Sequence, residues 1–75
     1  MSIKKAMYDT ALAEFESLRD KAIATARIYL EHPVGIGEHP QVIDEFIKQI
    51  KIAAENEEAA SMLVDTFRDE LIPED

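Results

Sequence analysis

Apolar residues recur every three or four positions along most of the chain, in two blocks separated by a short stretch rich in Pro and Gly. In the first block one line runs Tyr8, Ala11, Phe15, Leu18, Ala22, Thr25, Tyr29, and Leu12, Ile23, Ala26 and Leu30 widen or flank it. Steps that alternate between three and four are those of an α-helix. Good helix formers dominate residues 3–31, and neither Gly nor Pro interrupts them, so the pattern predicts one helix over about 3–31. Its apolar arc is broader than a narrow two-stranded seam requires.

The first block stops at His32-Pro33, where the proline removes a donor and restricts the residue before it. The linker, about 32–39, contains Gly35 and Gly37, with Val34 and Ile36 as apolar residues, at least one of which is expected to fold back over the end of the core. Pro40 suits a first helical turn, with the acidic pair Asp44-Glu45 close behind it. A second helix is predicted over about 40–71, with the line Ile43, Phe46, Ile50, Ala53, Glu57, Ala60, Val64, Phe67, Leu71 and with Ile47, Ile52, Ala54 and Leu63 on its flanks. Pro73 enforces its stop.

That second line breaks at Glu57, inside the polar run Glu55-Asn56-Glu57-Glu58. Either the helix bends or splits there, or that turn stays uncovered by its partner. In an antiparallel arrangement roughly the Phe15–Arg19 region lies opposite this polar run, which makes Arg19 a candidate neutraliser.

Two helices of this length joined by a short linker make an all-α antiparallel hairpin about 45 Å long, at 1.5 Å per residue. The 75 residues suffice for one domain, 1–75, and not for two. A lone hairpin buries one face of each helix, so two hairpins closing into a four-helix bundle would use the surplus apolar flank. The expectation is therefore a homodimer, with Leu12, Ile23, Leu30, Ile47, Ile52 and Leu63 as its self-association surface. Tyr8, Phe15, Tyr29, Phe46 and Phe67 sit at core-line positions and read as packing residues rather than as a cofactor platform.

Charge changes the picture next. The net charge is -8, yet residues 1–31 balance five bases against five acids. The whole excess lies in residues 32–75, which hold eleven acids and three bases. It is densest at Glu55, Glu57, Glu58 and again at Asp65, Asp69, Glu70. These six residues form a candidate acidic face for a basic protein partner, or simply a solvated surface that keeps the protein soluble. Mimicry of a nucleic-acid backbone is the alternative, although the acids cluster and lysines interrupt them. Direct nucleic-acid binding is not expected, because Lys4 and Lys5 make no adequate basic patch and no aromatic-basic interleaving occurs.

Catalytic chemistry finds no foothold. Cysteine is absent, which removes a thiolate nucleophile, a disulfide scaffold and a thiolate zinc site. The serines lack an acid-base partner at evident spacing, and the Glu-x-x-His pattern of di-iron bundles does not occur. Gly35-x-Gly37 is not a phosphate loop, for it has no preceding strand and no Lys-Ser/Thr. The repeated triplets Glu31-His32-Pro33 and Glu38-His39-Pro40 place two imidazoles near two carboxylates, so His32 and His39 are the metal-ligand candidates. Each triplet also reads as a helix boundary, with His32 beside a C-terminal dipole. The expected function is thus a non-enzymatic structural or protein-binding module with no cofactor; an acidic inhibitor or mimic and a metal-binding bundle are the alternatives.

The order Tyr-Leu-Glu-His-Pro, then Val-Gly-Ile-Gly-Glu-His-Pro, then an acidic helix resembles small uncharacterised proteins of tailed bacteriophages of the T-even-like group, including cyanobacterial ones. The likeness centres on 33–45 and extends loosely over most of the chain. It implies an accessory product of infection acting on a host or phage protein, and it carries no active residues to transfer. No apolar run approaches the ~20 residues that cross a bilayer. The opening Met1-Ser2-Ile3-Lys4-Lys5, broken soon after by Tyr8, Asp9, Glu14 and Glu16, does not read as a signal peptide, so a cytoplasmic location is expected, in the host if phage-encoded.

Overall fold

A computed structural model describes residues 2–32 and 40–71. Helix α1 covers Ile3–Glu31, helix α2 covers Pro40–Phe67, and a 3₁₀ turn, Arg68–Leu71, continues from α2. The two helices pack side by side and antiparallel as an all-α hairpin. Val34, Ile36, Gly35, Gly37, His39 and Pro73 lie outside the described residues.

Local chemistry accounts for the helix ends. Ser2 is extended, and its hydroxyl accepts a hydrogen bond from the Lys5 amide at 3.3 Å, satisfying one donor that the first turn leaves open. At the other end the His32 amide donates to the Ile28 carbonyl at 3.0 Å and closes the last turn of α1. Pro40 is the first residue of α2, where its missing N–H is no loss. Asp44 and Glu45 fall beyond that first turn, so α2 begins without an acidic residue against its dipole. Helix α2 runs unbroken through Glu55-Asn56-Glu57-Glu58, with no split there.

The seam between the helices repeats every seven residues. On α1 it uses Tyr8, Phe15, Ala22 and Tyr29, with Ala11, Leu12, Arg19, Thr25 and Ala26 filling between. Leu18, expected on the line, sits at the rim. On α2 two heptad rows face inward, Val42-Gln49-Asn56-Leu63 and Phe46-Ala53-Ala60, with Ile52, Ala59 and Val64 beside them. This departs from the expected α2 line, because Ile43, Ile50, Glu57 and Phe67 are exposed. The reason is rigid-body geometry. Ile43, Ile50 and Glu57 are spaced by seven and share one stripe at the edge of the seam, so keeping the Glu57 carboxylate at the rim, beside Arg19, leaves both isoleucines exposed with it, while Val64, one heptad further on, stays half-buried. Gln49 and Asn56 move inward in exchange, at the lower cost of covering neutral amides.

Among the described residues the buried hydrophobics are Ala22, Ala26 and Ala60, at 2, 4 and 6% exposure. Small side chains let the backbones approach, but they bury little area. No larger apolar side chain is fully covered.

Candidate functional site

Three surfaces of the hairpin stand out. The first is acidic. Glu55, Glu58 and Asp65 are exposed and spaced by three and seven, which puts them on one outward stripe of α2 spanning about 15 Å. Asp69, four residues further on in the 3₁₀ turn, is exposed as well and lies 3.7 Å from Arg68. Like charges at such spacing weaken a helix rather than support it. The other two predicted acids leave this stripe. Glu70 borders a cleft at the chain ends, and Glu57 reaches across to α1.

That crossing contact fixes the register of the hairpin. Arg19 Nη1 donates to Glu57 Oε2 at 3.1 Å while its Nε donates to Asp20 Oδ1 at 2.9 Å. The Asp20 bond is the larger influence holding the guanidinium pKa above its ordinary value; partial desolvation opposes it, and the Glu57 bond adds to it. Arg19 stays cationic throughout the working pH range, so the bridge does not act as a pH switch. Its side chain keeps 23% of its surface and that of Glu57 keeps 59%, which makes this a solvent-screened pair. We expect Arg19→Gln to lower the melting midpoint slightly, with the difference from the native chain shrinking as salt is raised. A difference that persists unchanged in high salt would mean that Arg19 acts through packing instead.

The second surface is aliphatic. Ile43, Ile47 and Ile50 line the open side of α2, and Ile23 and Leu30 share a stripe of α1. Arg19 lies four residues before Ile23, and Glu57 seven after Ile50, so the cross-helix ion pair marks the edge of this flank. Of the six residues expected to mediate self-association, Ile23, Leu30 and Ile47 belong to it. Leu12, Ile52 and Leu63 are half-buried within the hairpin. Ile43 and Ile50, on the expected core line, belong to this flank instead; their spacings of fourteen and seven to Glu57 are the signal that sets them there.

The third surface is a cleft of about 390 Å³ between the start of α1 and the end of α2. Met7, Tyr8, Ala11, Leu63, Phe67 and Leu71 line it, with Lys4 and Glu70 at its mouth. Its lining is mainly apolar, with Lys4 and Glu70 as the charged members.

His32 is exposed at the end of α1, while His39 lies outside the described residues. Among the described residues no cluster of three or more His, Asp or Glu side chains is placed to hold a metal ion. Among them, too, no helix is long and apolar enough to cross a membrane. Comparison with models of protein families, with curated proteins and with solved structures finds no match.

Proposed function

We propose that this chain is a non-enzymatic structural and protein-binding module, which presents the acidic stripe of α2 to a basic protein surface. The observation that carries this reading is the placement of Glu55, Glu58 and Asp65 on one exposed stripe, prolonged by Asp69, while α1 stays neutral. Carboxylates lined up on one face of a rod raise the local potential, which speeds encounter with a positively charged partner. The resemblance to small phage proteins supports an accessory role in which that partner is a host or phage protein in the cytoplasm.

The same stripe supports a second reading, an inhibitor that occupies a nucleic-acid site by imitating a row of phosphates. The two readings separate in one experiment. The immobilised protein is exposed to bacterial extract at low and high salt, beside a variant carrying Glu55→Gln, Glu58→Gln, Asp65→Asn and Asp69→Asn. The native chain is expected to retain a basic protein that both the variant and high salt release. Release by added duplex DNA as well assigns the mimic. Retention indifferent to salt and to the four substitutions overturns the acidic-stripe reading.

A further inference from the structure

The aliphatic flank has an occupant of its own. We infer that Ile23, Leu30, Ile43, Ile47 and Ile50 form the interface of a homodimer, in which a second copy of this chain lays its own isoleucine flank over the first. Area supplies one line of support. The chain exposes 6016 Å², whereas a compact protein of its mass exposes about 4,700 Å². The surplus of roughly 1,300 Å² exceeds the ~800 Å² that each partner buries in a standard stable interface. Among the described residues of the hairpin nothing larger than alanine is fully covered, which leaves apolar surface that a second copy can bury.

Charge supplies the second line and names the occupant. Two copies of a chain with net charge -8 repel each other unless they meet where the charge is balanced. The isoleucine flank is such a place. Residues 22–30 carry Arg27 alone, and residues 41–54 offset Asp44 and Glu45 with Lys48 and Lys51. Residues 55–71, by contrast, hold six acids against Arg68. A twofold dimer that overlaps the linker-proximal halves therefore buries aliphatic surface on both sides and leaves the acidic halves pointing apart. The patch is self-complementary because every member is aliphatic, as an isologous interface requires. Two hairpins joined in this way make a four-helix bundle over that half of the rod.

Sedimentation velocity across a wide concentration range tests the interface, with helicity followed by circular dichroism. The native chain is expected to sediment at twice its 8.5 kDa mass, and Ile47→Glu with Ile50→Glu to sediment as one chain with its helices retained. Met7→Glu with Leu18→Glu, outside the isoleucine flank, is expected to remain dimeric. A charge-free readout covers the case in which the first variant unfolds. The chain has no cysteine, so Ile47→Cys should give a disulfide-linked dimer on mild oxidation, while Met62→Cys, away from the patch, should not. A native chain that stays monomeric at the highest concentration overturns the inference. So does a dimer broken by the Met7/Leu18 pair but not by the Ile47/Ile50 pair, or cross-linking through Met62→Cys in preference to Ile47→Cys. None of these outcomes depends on the acidic stripe, whose variant leaves the isoleucine flank intact.

Discussion

Ala22→Asp is expected to abolish the cooperative fold, whereas Ala24→Asp, two residues along the same helix, is expected to leave it standing. Both substitutions carry the same loss of helix propensity. They differ in where the carboxylate goes. Ala22 lies in the seam at 2% exposure, and Ala24 is exposed to water. A carboxylate forced into the seam has no room, and Arg19, three residues before it, is already engaged by Asp20 and Glu57; leaving a charge uncompensated in such a place costs about 3–5 kcal/mol. A chain of this size has about 4–11 kcal/mol in total, and one in which the fully buried residues among those described are alanines belongs at the lower end. Thermal melts followed by circular dichroism check the prediction. Midpoints for the two variants within a few degrees of each other would show that the helices do not close through Ala22.

The second large effect has the opposite sign. Gln49→Leu combined with Asn56→Leu is expected to raise stability by about 2 kcal/mol, from added apolar area at two half-covered sites. For a domain of this size that is a rise of roughly 8–16 °C in the melting midpoint. Asn56 Nδ2 donates to the Ile52 carbonyl at 2.8 Å, within its own helix, so nothing across the seam loses a partner when the amide is removed. What these two residues supply is specificity, since polar side chains in a heptad seam penalise slipped registers and extra strands. The double variant is therefore expected to be more stable and less uniform, showing several species in sedimentation. A lower midpoint would mean that one of the amides holds a partner on α1.

The heptad arithmetic also shows what was legible in advance. Steps of three and four along residues 8–29, the absence of Gly and Pro in that block, and His32-Pro33 followed by Pro40 are local signals, because each acts through the backbone of its own segment. The Arg19–Glu57 contact was legible for a related reason. Once two helices of similar length fold back on each other, opposing positions follow from the rise per residue alone. The Ser2 cap is legible in kind, since a serine directly before a helical run is a recognised start signal.

Rotation of α2 about its own axis was not legible from the apolar line. The apolar residues of α2 cover more than one face, so two seams one stripe apart satisfy the periodicity almost equally well. Choosing between them requires knowing which acids must remain in water and which neutral amides can be tolerated inside, a comparison between stripes that no single stripe contains. The acidic residues divided for the same reason. Six carboxylates looked like one face in the sequence, yet Glu57 turns to Arg19 and Glu70 to the terminal cleft, leaving Glu55, Glu58, Asp65 and Asp69 on the outside.

A pair of amphipathic helices folded antiparallel, with a neutral first helix and a strongly acidic second, is readable from contiguous residues, because helix periodicity, helix stops and charge totals are properties of each segment. Which face of α2 becomes core is settled in the folded hairpin. Packing selects a rotation for the whole helix at once, and solvating Glu57 carried Ile43 and Ile50 outward with it. The aliphatic flank proposed here as a dimer interface follows from that one choice.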